Sequence, residues 1–228
     1  MIGGRSVLAV ITARGGSKGL PRKNVRRFRG EPLIVWTIRA AQASRHIDRL
    51  IVSTDDEEIA AVCRAAGCDV PFMRDARLAG DTATSVEVLM DAVDRVPGHD
   101  IVVLLQPTSP LRTAEDIDAV LGLMQQASAP SATTVTEAPC HPFLIFGRDA
   151  GARLEAFVEP PAGQSLRRQD LPAAYQLNGA VYAADLTWLR AGGALVKPGE
   201  TAALVMPPER SADIDTLADF EAAERWAG

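Results

Sequence analysis

Residues 7–24 read VLAVITARGGSKGLPRKN, and this stretch joins two different chemistries. Val7 to Thr12 is a continuous apolar run rich in β-branched residues, the pattern of a strand covered on both faces. The loop Arg14-Gly15-Gly16-Ser17-Lys18-Gly19-Leu20-Pro21-Arg22-Lys23-Asn24 follows at once. Its three glycines let the backbone approach a ligand and present N–H groups, while Arg14, Lys18, Arg22 and Lys23 bring positive charge to the same place. That is the chemistry of a triphosphate cradle. The spacing is neither GxxxxGK[ST] nor the GxGxxG dinucleotide fingerprint. The competing reading is a basic surface turn, but a solvated turn does not need Gly-Gly. It would also follow the chain's preference for arginine: of 24 cations only three are lysines, and two of them, Lys18 and Lys23, stand here. Lysine in this setting supplies a compact point charge.

Working outward, strand and helix signals alternate. A helix is expected to open at Pro32, where proline suits a first turn, and to carry Leu33, Ile34, Trp36 and Ile38. Leu50 to Ser53 reads as a strand, and Thr54-Asp55-Asp56-Glu57-Glu58 supplies the cap and first-turn acids of a helix reaching Ala66, with Gly67 as its stop. A short strand near Val70 comes next. Thr84-x-x-Glu87 and Thr113-x-x-Asp116 are capping-box patterns opening helices that end near Val96 and Ala127, and Ile101 to Leu105 between them is a fully apolar strand. From about Pro139 to Pro172 the regularity fails. Asn178 to Tyr182, Ala203 to Met206 and a helix from about Thr216 to Trp226 return to the main body. The pattern predicts one α/β domain over residues 1–228: a mostly parallel twisted sheet flanked by helices, with a small excursion at about 139–171. Ligands in such folds bind at the C-terminal ends of the strands, where the cradle, the Ser53 to Asp56 turn and Gln106-Pro107-Thr108-Ser109-Pro110 all fall.

Composition excludes several classes. The chain of 228 residues has a formal net charge of -5, yet residues 1–30 hold eight cations and no acid. An acidic protein with a local cation block suits a small anionic or phosphorylated ligand better than nucleic acid. The apolar runs are far below the roughly 20 residues of a membrane span, and the first strand lacks the flanks of a secretory leader. Cys63, Cys68 and Cys140 have no CxxC spacing and read as thiols in a reducing cytoplasm.

Two further segments carry chemistry. In an extended Asp213-Ile214-Asp215 the carboxylates face one side and Ile214 the other. Paired hard oxygens suit Mg²⁺, which binds through one or two carboxylates plus substrate phosphates. Asp215 or Thr216 would equally cap the last helix, and both readings are compatible. In Arg167-Arg168-Gln169-Asp170-Leu171-Pro172, the arginines form either a surface ion-pair cluster or a source of charge for a transferred phosphate. Gln106 and Asn178-Gly179 place amides at a strand end and a turn, a less specific signal: such amides either read a base or a sugar or do no more than make the turn.

Seven ordered motifs resemble the acylneuraminate cytidylyltransferase family across essentially the whole chain: ITARGGSKGLPRKN from Ile11, IDRLIVSTDDEEIA from Ile47, FMRDARLAGDTATS from Phe72, LLQPTSPLRT from Leu104, RRQDLP from Arg167, NGAVY from Asn178 and SADIDT from Ser211. The resemblance implies a Rossmann-like nucleotidyltransferase fold and transfer of CMP from CTP to the anomeric hydroxyl of a nine-carbon 2-keto sugar acid, with Mg²⁺ and release of pyrophosphate. It implies that Arg14, Lys18 and Lys23 hold the triphosphate and that Asn24, Arg74, Ser85 and Gln106 contact the nucleotide, Gln106 also near the reacting sugar. By the same resemblance Asp213 and Asp215 bind metal, and Arg168 is catalytic alongside Lys23 and Gln106. The excursion matches the segment with which relatives form a homodimer and complete the neighbouring active site.

The histidines lie outside these motifs, so deprotonation of the acceptor falls to a metal-bound or carboxylate-assisted route. Phe143-Leu144-Ile145 after His141-Pro142, and Gln176-Leu177 before Asn178, stand where some sialic acid enzymes carry basic residues. The acceptor is therefore open between N-acetylneuraminate, legionaminate, pseudaminate and other nonulosonates, while RRQDLP and NGAVY disfavour an octulosonate. A non-catalytic nucleotide-binding protein is the alternative of a different class; it predicts loss of Lys18, Lys23, Asp213 or Asp215, and all four are present.

Overall fold

The computed structural model describes residues 1–17, 19–80 and 82–226. In chain order the elements are β1 (Val7–Ala13), β2 (Arg27–Phe28), β3 (Glu31–Pro32), α1 (Leu33–Ala43), β4 (Arg49–Thr54), α2 (Glu57–Ala65), α3 (Ser85–Arg95), β5 (Ile101–Leu105), α4 (Ala114–Gln126), β6 (Ser131–Glu137), β7 (Phe146–Arg148), β8 (Leu154–Ala156), β9 (Tyr175–Asp185), α5 (Leu186–Arg190), β10 (Thr201–Val205) and α6 (Leu217–Trp226). Six strands form one sheet in the order β10-β6-β9-β5-β1-β4. β4 and β5 run parallel to β1, and β10 runs parallel to β6. β9 is antiparallel to both its neighbours, β5 and β6.

The period of two along β1 divides the core. Val7, Ala9 and Ile11 pack with Ile34, Ile38, Ile117 and Leu121 of α1 and α4. Leu8 and Val10 pack on the opposite face with Leu89 and Val93 of α3 and with Leu186 and Leu189 beyond β9. The caps fall where the spacing places them: Thr84 and Thr113 form capping boxes with Glu87 and Asp116, and Asp56 accepts from Ile59 N at 3.0 Å to open α2. Cys63 and Cys68 lie in the core, where burial pushes their thiols up to about 12.

Several expectations are revised. Pro32 precedes α1, since its residue pairs with Arg27 in a small ladder. The segment near Val70 forms only isolated bridges, Asp69 to Ile51 and Met73 to Thr54. β6 and α5 are additional elements, and β9 covers eleven residues instead of the five from Asn178 to Tyr182. β6 reads SATTVTE, and two of its three buried threonines are paired: Thr133 Oγ1 donates to Val181 O at 3.0 Å and Thr134 Oγ1 to Asn178 Oδ1 at 2.6 Å, while the Thr136 hydroxyl has no partner among the described residues. A hydrophobic pattern does not reveal a strand that satisfies its hydroxyls this way.

β1 is a switch point, because the chain leaves it toward β4 and returns across it to β5. The crevice beyond the carboxyl ends of β1 and β5 is the place such a sheet offers a ligand. The excursion rises from the same end of the sheet. It begins where Ala138 N donates to Ala174 O at 2.9 Å and contains the β7–β8 hairpin. Its apolar side chains are poorly covered: Leu154 is 70% and Phe157 71% exposed. Among the described residues no helix is long and apolar enough to cross a membrane.

Candidate active site

A cavity of about 400 Å³ opens over the switch point. Arg14, Lys23 and Asn24 reach it from the loop after β1, Arg74 and Ser85 from the region between β4 and α3, Gln106 from the end of β5, and Asp215 from the segment before α6. These are seven of the ten residues that the resemblance assigns to the site, and Asp213 is not among those lining the cavity. Lys18 lies outside the described residues.

The cradle is held from both sides. Gly15 N donates to Asp55 Oδ1 at 3.1 Å, and Asn24 Nδ2 donates to Arg14 O at 3.0 Å. Gly19 approaches the Asp213-Ile214-Asp215 segment so closely that a Cβ there would stand 2.4 Å from Asp215 O, against backbone that cannot rotate away. Lys23 is buried and donates to Ile214 O at 2.6 Å and Asp215 Oδ1 at 2.9 Å. One lysine thus ties the N-terminal cradle to the C-terminal carboxylates. Arg22 has a different role from the one expected of it. Its backbone turns left-handed at φ 56°, and its guanidinium pairs with Asp56 at 2.6 Å and with Glu58, so its charge is spent on the start of α2.

Arg74 is buried on Ser53, donating from Nε to Oγ at 3.1 Å and from Nη2 to the carbonyl. Burial lowers its pKa, Asp55 and Asp91 oppose that shift, and nearby Arg14 adds to it. Two guanidiniums held near each other at one cavity favour an anion between them.

The alternation of Asp213-Ile214-Asp215 holds. Ile214 is fully buried, and its N–H donates to Thr108 O at 2.8 Å. The helix cap is Thr216, which exchanges hydrogen bonds with Asp219, so neither candidate carboxylate is consumed in capping. Asp213 keeps surface open to solvent, while its Oδ2 lies 3.5 Å from where a Gly179 Cβ would stand. Burial of the carboxyl raises its pKa, and Asp215 and Asp219 add to the rise; a hydrogen bond with Thr108 and the charge of Lys23 oppose it. The segment is pinned upstream by Arg210 on Asp116, at 3.0 and 2.8 Å, and by Ser211 accepting from Asn178 Nδ2 at 3.0 Å. A carboxylate pair that repels itself despite Lys23, on a fixed backbone, is a hard-oxygen donor set that would suit a divalent cation.

Two sequence candidates go elsewhere. Arg168 lines a separate cavity of about 210 Å³ at the base of the excursion, with Glu137 and His141. The Asn178 amide, expected to read a base or a sugar, is committed internally: Oδ1 accepts from Thr134 and from Ala180 N at 3.2 Å, and Nδ2 donates to Ser211. Sequence reasoning missed Thr108 and the apolar wall of Leu78 and Val88. Thr108 stood inside a quoted motif, whereas nothing in the periodicity sets Leu78 and Val88 apart from core positions.

A basic, mononucleotide-sized cavity at the switch point of a mainly parallel sheet defines an α/β nucleotide-handling protein. The cytidylyltransferase family model matches residues 8–141. The chain is 33% identical over 225 residues to the CMP-N,N'-diacetyllegionaminic acid synthase of Legionella pneumophila, covering 96% of this chain and 95% of the relative. It is 35% identical over 217 residues to the N-acylneuraminate cytidylyltransferase of Streptococcus agalactiae, covering 93% of this chain and 51% of that longer protein. Among solved structures, a CMP:2-keto-3-deoxy-manno-octonic acid synthetase complexed with CTP superposes with a TM-score of 0.72 at 18% identity, covering 97% of this chain and 98% of the other. The chain belongs to the cytidylyltransferase family, in the acylneuraminate group whose motifs it carries.

Proposed function

We propose that the protein transfers CMP from CTP to the anomeric hydroxyl of a nonulosonic acid, releasing pyrophosphate. The observation that carries this reading is the tie from Lys23 to Asp215, which joins the cradle to the Asp213-Ile214-Asp215 segment at a cavity that Lys23 and Asp215 both line, in a chain of this family. Transfer at an α-phosphate needs the acceptor hydroxyl in line with the leaving pyrophosphate and charge neutralised on both. Arg14, Lys18 and Lys23 hold the phosphates; Asn24, Arg74, Ser85 and Gln106 contact the nucleotide. Asp213 and Asp215 hold Mg²⁺. When bound, the metal neutralises developing phosphate charge.

The protein works as a homodimer in this reading. The uncovered apolar residues of the excursion supply the interface, and Arg168, remote from the cavity of its own chain, serves the site that the excursion completes in the neighbouring protomer. The acceptor is a nine-carbon acid because both relatives named above activate such sugars. A pyrophosphate-release assay with CTP and a panel of N-acetylneuraminate, legionaminate, pseudaminate and 3-deoxy-octulosonate tests it. Release is expected with at least one nine-carbon acid and at most weakly with the octulosonate; silence across the panel removes the reaction.

Gly19→Ala is expected to weaken CTP binding about tenfold or more, because forcing a side chain into filled space typically costs ~1–3 kcal/mol. Isothermal titration with CTP measures it. Unchanged affinity would separate Gly19 from the cradle.

A further inference from the structure

β5 and β9 pair antiparallel from Ile101 opposite Asp185 to Leu104 opposite Tyr182, and there the ladder stops. The same register would next bring Leu105 opposite Val181 and Gln106 opposite Ala180. Instead, one side chain takes both carbonyls of that last pair: Arg112 Nε donates to Ala180 O at 2.8 Å, and its Nη2 donates to Gln106 O. Arg112 is 3% exposed, and its Nη1 is buried without a hydrogen-bond partner among the described residues.

The splayed strands hold the floor of the site between them. Gly179, at φ +73°, leaves room for the Gln106 amide, whose Oε1 would stand 2.7 Å from any Cβ there. Ser109 Oγ donates to Asn178 O at 3.3 Å across the same gap, and Asp213 Oδ2 faces it. We propose that Arg112 is a positioning residue, a guanidinium wedge that replaces the β5–β9 ladder and fixes Gln106 against Gly179 where its amide meets the nucleotide. This rests on the nucleotide role proposed above for Gln106.

The choice of residue agrees with the task. A planar fork spans two carbonyls at fixed separation, which an ammonium does not. The position is costly: burial lowers the guanidinium pKa to about 9, with Asp116 and Asp213 favouring its charged form. Apolar replacements of buried charges are often as stable as the charges themselves, so stability alone does not explain an arginine with one arm unpaired.

The test is a double-mutant cycle on CTP affinity. Arg112→Lys and Gln106→Ala are each expected to weaken binding about tenfold, and the double variant to be no weaker than the worse single one, because both act through the same amide. Factors that multiply, or a lowered melting temperature with unchanged CTP affinity, would reduce Arg112 to a structural residue. If Arg112→Lys does not fold, Arg112→Gln, which keeps one donor, takes its place in the cycle. If the unsubstituted protein binds no CTP, the functional reading falls, and hydrogen exchange then decides on the wedge. Faster exchange confined to residues 104–112 and 178–182 in the Arg112 variant supports it; no change there, or a uniform rise, overturns it.

Discussion

Lys23→Ala is expected to lower kcat/KM for CTP by about 10²–10³-fold, the usual consequence of removing one preorganised charge-stabilising donor from an active site. The geometry gives the loss two sources. The ammonium is the cradle cation joined to the carboxylate segment, so the phosphates lose a fixed charge. Its removal also frees Ile214 O and Asp215 Oδ1 from their partner, which loosens the segment that carries the proposed metal ligands. An unmade bond to a buried carbonyl costs about 1–3 kcal/mol, so the variant should also melt earlier while remaining folded. Lys23→Arg is not expected to restore the rate, because the side chain is only 10% exposed and a larger planar group does not fit a site shaped for a point charge. Steady-state pyrophosphate release on both variants decides the matter. A Lys23→Ala enzyme within about twofold of the parent would detach the lysine from phosphate binding.

That lysine also shows which kind of information the sequence exposes. Lys23 and Asp215 are separated by 192 positions, yet each stood out because its residue type departs from its surroundings: a lysine among arginines, a carboxylate repeated at i and i+2. The parallel core was legible for a related reason, since Val7–Ala13 and Ile101–Leu105 are buried on both faces and their composition says so. β6 was not legible. Its buried Thr133 and Thr134 are offset by specific hydrogen bonds to Val181 and Asn178, partners about 45 positions away that no local pattern names. The same long-range pairing removed Asn178 from the list of ligand-reading amides and made it the brace between β6 and Ser211. Arg22 differs from its expected role because its partners, the cap Asp56 and Glu58 of α2, are brought beside it only by the fold.

Asp213→Asn should move activity and stability in opposite directions. Mg²⁺-dependent turnover is expected to fall by about 10²-fold or more as the proposed metal ligand loses its charge. The fold, in contrast, is expected to gain stability at neutral pH. Burial raises the Asp213 pKa above its ordinary 3.8, so the folded protein prefers the protonated carboxyl more than the unfolded chain does. Below the ordinary value both states are protonated and that preference contributes in full. As pH rises through the raised folded-state value the native state must hold an unfavoured charge, and the contribution is lost. A neutral amide of the same shape escapes that loss. The melting-temperature difference between Asp213→Asn and the parent should therefore be positive at pH 7 and shrink toward zero as pH falls below about 4. Added Mg²⁺ should raise the melting point of the parent, by mass action on the folded state, and leave the variant nearly unmoved. Asp215→Asn separates the two carboxylates: it should lose turnover to a similar degree without the gain in stability, because its carboxylate is the partner of Lys23. If Asp213→Asn were less stable than the parent at neutral pH, Asp213 would be a structural carboxylate held by Thr108, and the repulsion described between Asp213 and Asp215 would have no basis.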